Sequence, residues 1–154
     1  MTGKTKHEGS GRHTRGVEED AFLSLLVTTE ALSRNVEKVL READVSPTQY
    51  NVLRILRGSP QGLPCREIGQ RMISRDPDIT RLLDRLEKRA LISRCRETKD
   101  RRTVLTRITP QGLRLLSELD APVAEMHRNQ LGHLGRERLR SLMELLEMAR
   151  QKAG

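Results

Sequence analysis

A short stretch, residues 76–88, constrains the fold more than any other part of the sequence. Its apolar residues recur every three or four positions, which is the spacing of one face of an α-helix. They are Ile79, Leu82, Leu83 and Leu86. The opposite face of this predicted helix is basic and carries Arg81 and Arg85. We predict that Asp76 caps the helix and that Pro77 takes its first position, where a backbone N–H has no helical partner.

A basic β-hairpin is predicted directly after this helix. Residues 91–97 and 103–109 are rich in β-prone side chains and flank a charged turn that contains Asp100. The cations of this segment are Arg94, Arg96, Lys99, Arg101, Arg102 and Arg107. A β-ribbon with this many cations is typical of a strand pair that lies along a phosphate backbone and inserts an arginine into the minor groove. A third helix, predicted over residues 64–72, and the turn 73–75 precede the basic helix, so the order is that of a winged helix-turn-helix.

These segments resemble the MarR family of bacterial transcription regulators. The matching motifs are Ile68–Met72, Thr80–Glu87 and the wing signature, Asp-x-Arg followed by Thr and then Gly, present as Asp100, Arg102, Thr109 and Gly112. The motifs cover residues 64–112, and the helical pattern on either side extends the resemblance to about residues 17–152. Ala90 departs from the family, which usually has Gly after the recognition helix. If this position needs a positive φ, Ala costs on the order of 1 kcal/mol there.

The sequence predicts a mainly α fold with a small β-hairpin. Residues 45–112 form a winged helix-turn-helix DNA-binding domain, and residues 17–44 and 113–152 form a helical dimerisation region around it. The apolar stripes of these terminal helices are longer than a small core covers, so we expect a second chain to cover them, although packing within one chain is the alternative. Residues 1–16 are a basic tail, expected to be disordered or to act as an arm that reaches into a DNA groove.

Local signals mark where several helices begin and end. Ser46 and Gln49 form a predicted capping box with Pro47 at the first helical position. Pro122 lies inside a long helical pattern and is expected to bend or split it. The segment 133–135 is expected to end that helix and separate it from a last one over residues 136–151.

The charge distribution points to a polyanionic partner. The chain has a formal net charge of +8, and residues 64–112 hold 13 Lys or Arg against 7 Asp or Glu. Phe22 and Tyr50 are the only aromatic residues, which disfavours binding of single strands by base stacking. We find no apolar run of membrane-spanning length and no signal-peptide core, and expect a cytoplasmic protein.

The predicted DNA contacts lie on the recognition helix, on the turn before it and on the wing. They are Ser74, Arg75, Asp78, Thr80, Arg81, Arg85, Lys99, Arg101 and Arg102. Arg81 and Arg85 are expected to face the major groove, where Arg to guanine is the commonest specific contact. Arg101 or Arg102 is expected in the minor groove. Asp84 is expected to pair with an Arg of the protein itself, and the preceding turn is expected to contact phosphates.

The resemblance also implies regulation. Family members are commonly dimeric repressors of palindromic operators, released by a small, often phenolic or lipophilic effector or by oxidation of a cysteine. Leu32, Val36 and Tyr50 are the residues assigned here to an effector cleft. Cys65 and Cys95 are interpreted as inert thiols, with oxidant sensing as the alternative.

Other chemistries find little support in the sequence. His127 and His133 are interpreted as solvated side chains rather than metal ligands, and we expect no cofactor and no enzymatic activity. Three hypotheses remain: a dimeric double-stranded DNA-binding repressor, which the pattern favours, a winged-helix module for protein association, and a sensor whose DNA binding is secondary.

Overall fold

The computed structural model describes residues 16–97 and 102–153. The helices are α1 (Val17–Glu42), α2 (Pro47–Arg57), α3 (Cys65–Arg71), α4 (Ile79–Lys88), α5 (Pro110–Leu131) and α6 (Gly135–Ala153), with a 3₁₀ helix at Gly132–Leu134. The strands are β1 (Leu63–Pro64), β2 (Ile92–Arg96) and β3 (Val104–Ile108). Residues 1–15 of the basic tail, the wing-tip residues Lys99 and Arg101, and Asp100 lie outside the described residues, so the predictions made for them stay predictions.

The capping box predicted before α2 is confirmed. The Ser46 hydroxyl accepts the Gln49 N–H at 3.1 Å, and the Gln49 side-chain oxygen accepts the Ser46 N–H at 3.1 Å. Pro47 is the first residue of the helix. These two bonds satisfy backbone donors that a helix start otherwise leaves open, so α2 begins at a fixed residue.

The predicted start of the recognition helix is wrong by two residues. Helix α4 begins at Ile79, and its N-cap is Asp78, whose Oδ1 accepts the Arg81 N–H at 3.2 Å. Asp76 instead accepts the N–H of Asp78 at 2.8 Å. Both aspartates therefore bind a backbone N–H two or three residues ahead, and the turn formed by Asp76 delays the helix.

The hairpin belongs to a three-stranded antiparallel sheet. The strand order is β1-β3-β2, with Leu63 opposite Thr106 and Cys95 opposite Leu105. Pro64 pairs in β1, so the prediction that it begins the third helix is wrong and α3 starts one residue later. The short strand β1 thereby ties the beginning of α3 to the base of the wing.

Apart from Tyr50 the core is built from non-aromatic apolar side chains, and it collects residues from every α-helix except α6. Its fully buried side chains include Leu40, Leu53, Leu56, Ile68, Leu83, Leu86, Ile92 and Leu116. The apolar stripe predicted for the recognition helix lies in this core, since Leu82, Leu83 and Leu86 are all buried. Burial of that stripe fixes which face of α4 remains on the surface.

The C-terminal half is built from two long helices. Helix α5 continues through Pro122, so of the predicted bend or split at this residue the split is wrong. The predicted break before the last helix is confirmed at the 3₁₀ helix and Gly135, which has a φ of 77°. Among the residues that the structure describes, no helix is both long and apolar enough to cross a membrane.

Candidate nucleic-acid interface

The exposed face of α4 carries the predicted reading residues. Thr80, Arg81 and Arg85 are exposed, while the opposite side of the same helix is buried in the core. The Arg81 side chain is 71% exposed, and its Nε lies 3.8 Å from Asp78 Oδ2. A contact of that length at the surface holds the guanidinium only loosely. Arg81 and Arg85 therefore project from a rigidly anchored helix with their donors available to a ligand.

The turn before α4 is held by a side chain of α2. Asn51 Oδ1 accepts the N–H of Ile73 at 2.9 Å. Ile73 is 90% exposed, and Ser74 and Arg75 next to it are also exposed. The turn thus presents a hydroxyl, a cation and an apolar side chain immediately before the recognition helix. The sequence prediction named Ser74 and Arg75 and missed Ile73, whose exposure no local pattern indicates.

The wing supplies further cations on the strands that the structure describes. Arg96 and Arg102 are exposed near the end of the hairpin. Arg107 is half-buried, and its Nη1 donates to Cys95 Sγ at 2.7 Å. The hairpin therefore extends the positive surface beyond α4.

Arg94 has a different role from the other wing cations. Its Nη2 donates to Asp84 Oδ1 at 2.5 Å and to Glu87 Oε2 at 2.6 Å. The expected pairing of Asp84 with an arginine of the protein is confirmed. The hydrogen bond from Arg94 lowers the pKa of Glu87, and hydrogen bonds to Glu87 and Asp84 raise the pKa of Arg94. Sequence reasoning counted Arg94 with the hairpin's cations and missed this cluster, because the partners lie on another element.

Of the three residues assigned to an effector cleft, one lines a groove in the structure. Leu32 lines an apolar groove of about 1000 Å³ between α1, α5 and α6. Tyr50 is buried, and Val36 packs against the core from α1, so neither lines this groove. His127 and Arg128 are the groove's basic side chains. The structure thus places an apolar groove in the helical layer, with Leu32 as its one predicted member.

The remaining chemical candidates are dispersed. Cys65 is half-buried and Cys95 is exposed, and both are free thiols. His127 is in α5 and His133 is in the 3₁₀ helix. Within residues 16–97 and 102–153, no three metal-ligating side chains form a group that could hold an ion.

A cationic helix on a buried apolar base, preceded by a short helix and turn and followed by a basic hairpin, defines a winged-helix DNA-binding protein. A family model described as "MarR family" matches residues 45–104. A solved MarR transcription factor from Planctomyces limnophilus is 36% identical, with a TM-score of 0.67, over 88% of this chain and 99% of that one. The chain belongs to the MarR family of transcription regulators.

Two further relatives carry information about regulation. The homoprotocatechuate degradative operon repressor of Escherichia coli is 24% identical over 131 residues, which are 85% of this chain and 88% of that protein. The PcaV transcriptional regulator of Streptomyces coelicolor, solved in complex with its natural ligand, is 25% identical with a TM-score of 0.72. That match covers 92% of this chain and 100% of PcaV.

Proposed function

We propose that two copies of this chain bind an inverted repeat in double-stranded DNA, repress transcription there, and release the DNA when a small aromatic or lipophilic effector binds. The observation that carries the proposal is the two-sided character of α4. Its leucines are buried in the core while Arg81 and Arg85 are exposed on the opposite side. Such a helix enters the major groove without any rearrangement of the core that supports it.

The proposed contacts divide by their place in the fold. Arg81 and Arg85 read base edges, and Thr80 contacts bases or phosphates at the start of the helix. Ser74 and Arg75 contact phosphates from the turn. Lys99, Arg101 and Arg102 act from the wing, with Arg101 or Arg102 in the minor groove. Asp78 caps α4 with one carboxylate oxygen, which leaves the other oxygen for a base-edge contact.

Dimerisation is supported by the terminal helices. Large apolar side chains are exposed on α1 and α6, and they include Phe22, Leu25, Leu26, Val27, Met143, Leu145 and Met148. Exposed apolar surface of this extent, concentrated in one layer, marks a protein interface. A two-fold axis through that layer sets two recognition helices on successive half-sites, which in B-DNA are about 34–36 Å apart.

Release by an effector is supported by the relative PcaV, which was solved in complex with its natural ligand, and by the chemistry of the groove. The groove between α1, α5 and α6 is lined mostly by aliphatic carbon, with Arg128 and His127 as basic groups. It shares Leu25, Met143 and Leu145 with the proposed dimer interface, so an effector bound there would lie beside the partner chain. An apolar pocket with a cation fits an aromatic or lipophilic acid. A ligand there acts on DNA binding if it changes the distance between the two recognition helices.

Equilibrium binding of the purified chain to a cognate palindrome tests the proposal. A dimer that contacts 6–10 phosphates loses roughly 10³–10⁵ in affinity between 50 and 200 mM salt. Arg81→Ala is expected to weaken binding by about tenfold or more, since an Arg–guanine contact contributes on the order of 1–3 kcal/mol.

Arg34→Ala is the matched control. Arg34 is an exposed arginine of α1 whose Nε lies 3.7 Å from Glu30, much as Arg81 lies beside Asp78. Its replacement is expected to leave DNA affinity unchanged. Equal effects of the two substitutions, or binding that does not respond to salt, would favour a protein-association module whose cations are merely solvated.

A further inference from the structure

The cluster formed by Arg94, Asp84 and Glu87 joins the wing to the recognition helix. Arg94 is in the middle of β2, and the two carboxylates are three residues apart on one face of α4. Four hydrogen bonds connect them. The Arg94 backbone N–H reaches Glu87 Oε1 at 3.1 Å, its Nε reaches Glu87 Oε2 at 3.0 Å, and its Nη2 reaches Glu87 Oε2 at 2.6 Å and Asp84 Oδ1 at 2.5 Å.

This pattern restricts orientation as well as distance. Glu87 binds both the main chain and the side chain of Arg94, so the strand itself is held and not only a flexible side chain. The planar guanidinium donates in fixed directions, which a lysine ammonium does not reproduce. The strand can therefore neither slide along α4 nor rotate away from it without breaking several charge-assisted bonds.

Arg94 occupies the point where the wing leaves the core. Ile92, two residues earlier, is buried, whereas Cys95 and Arg96 beyond it are exposed. The Arg94 side chain is 26% exposed, so it is the half-buried residue between an anchored base and a projecting arm. A contact at such a point sets the direction in which the rest of β2 and β3 extends.

The energetics favour a geometric role over a stabilising one. The carboxylates of Asp84 and Glu87 are 46% and 38% exposed, and ion pairs this open to water contribute little to folding stability. The cluster also contains two negative charges and one positive charge, and its net negative charge lies beside the proposed DNA-binding surface. If the cluster serves DNA binding, the alignment that it gives must outweigh this repulsion.

We propose that Arg94 is a positioning residue that, through Asp84 and Glu87, fixes the angle between the wing and the recognition helix and so lets both contact one DNA site. This rests on the proposed function, because it assigns a role within DNA binding. Arg94 itself contacts no base in this account. Its effect reaches the DNA through the cations carried by the wing.

The test measures the affinity of the unsubstituted chain, Arg94→Lys and Glu87→Gln for a series of operator duplexes that are shortened stepwise from both ends. The unsubstituted chain is expected to lose affinity when the flanks that the wing contacts are removed. On the longest duplex both variants are expected to bind roughly tenfold more weakly, as if one or two phosphate contacts were lost. On the shortest duplex, which only α4 contacts, they are expected to match the unsubstituted chain.

Glu87→Gln separates positioning from electrostatics. This substitution removes a negative charge near the phosphates, so electrostatics alone predicts tighter binding, whereas positioning predicts weaker binding on long duplexes. Arg57→Lys is the control, since Arg57 donates to both oxygens of Asp120 at 3.0 and 2.9 Å between α2 and α5. It is expected to leave DNA binding unchanged, and thermal unfolding is measured for all variants.

Three results would overturn the proposal. They are tighter binding by Glu87→Gln, an equal loss on every duplex length, and no dependence of the unsubstituted chain on flank length. Failure of the unsubstituted chain to bind any duplex of the series would instead contradict the proposed function as a whole.

Discussion

The side-chain oxygen of Asn51 in α2 accepts a hydrogen bond from the backbone N–H of Ile73 at 2.9 Å. This bond joins α2 to the turn that leads into α4. Ile73 follows directly on Met72, the buried C-cap residue of α3. Of the five residues between Ile73 and α4, all except the half-buried Asp76 are exposed. The hydrogen bond therefore fixes the part of the turn that is assigned to phosphate contacts.

Asn51→Ala is expected to weaken DNA binding more than it weakens the fold. The lost hydrogen bond lies at an exposed turn where water can replace it, so the free energy of unfolding should fall by only about 0.5–1.5 kcal/mol. Operator affinity should fall severalfold because the turn becomes mobile. Calorimetry and equilibrium DNA binding measure the two effects. Asn129→Ala, at an exposed position of α5, is the control, and equal DNA affinity of both variants would contradict this role for Asn51.

Gly112 is a position where a side chain cannot be accommodated. A Cβ there would lie 2.3 Å from the Leu91 carbonyl oxygen and 2.7 Å from Ile108 Cγ1. Gly112→Ala must displace the backbone after α4, and we expect a loss of about 1–3 kcal/mol in the free energy of unfolding, or more. Gly132→Ala is the comparison, because nothing lies within 4 Å of its added Cβ. Urea unfolding of both variants at one protein concentration should show a large difference, and similar midpoints would contradict the packing argument.

Ala90 has a φ of 54°, a conformation that disfavours any residue with a Cβ. Ala90→Gly relieves that strain, but glycine also gives the unfolded chain more conformational entropy, which offsets part of the gain. We therefore expect the free energy of unfolding to rise by about 0.5–1 kcal/mol. Ala31→Gly, in the interior of α1, should instead lower the free energy of unfolding by a similar amount. Thermal unfolding of both proteins decides the matter, and destabilisation by Ala90→Gly would show that no strain is stored there.

Glu87 predicts a pH dependence of stability. Its pKa in the folded chain is lowered by the hydrogen bond from Arg94, so the unfolded chain binds the proton more tightly. The stabilisation is therefore present above the ordinary glutamate pKa of about 4.3 and is lost as pH falls through the lower pKa of the folded state. The unsubstituted chain should be slightly more stable than Glu87→Gln at pH 7. Urea unfolding between pH 7 and pH 3 should show that the difference in free energy of unfolding between the two proteins disappears at low pH. A difference that grows on acidification would contradict the assignment of this pH dependence to Glu87.

The sequence predicted correctly those helices and strands that depend on interactions between residues close together in the chain. The apolar spacing of the recognition helix identified the face that is buried, and Ser46 and Gln49 identified the start of α2. The β-prone runs around the charged turn identified β2 and β3. In each case the relevant side chains are within a few residues of one another, so their interaction is visible in the sequence.

The features that the sequence did not indicate depend on distant partners. Strand β1 has two residues and exists only because it pairs with β3, about 40 positions later. Asp76 and Asp78 are both good caps, and local preference does not decide between them. The Arg94 cluster likewise requires the angle between α4 and β2.

Selection of bound fragments from a random double-stranded library most directly tests the central claim, that a symmetric pair of these chains reads DNA with α4. The account predicts enrichment of inverted repeats whose half-sites are centred about 10–10.5 base pairs apart, and loss of that enrichment with Arg81→Ala. A library that remains random after selection, or that yields single unsymmetrical sites bound equally well by Arg81→Ala, would contradict it.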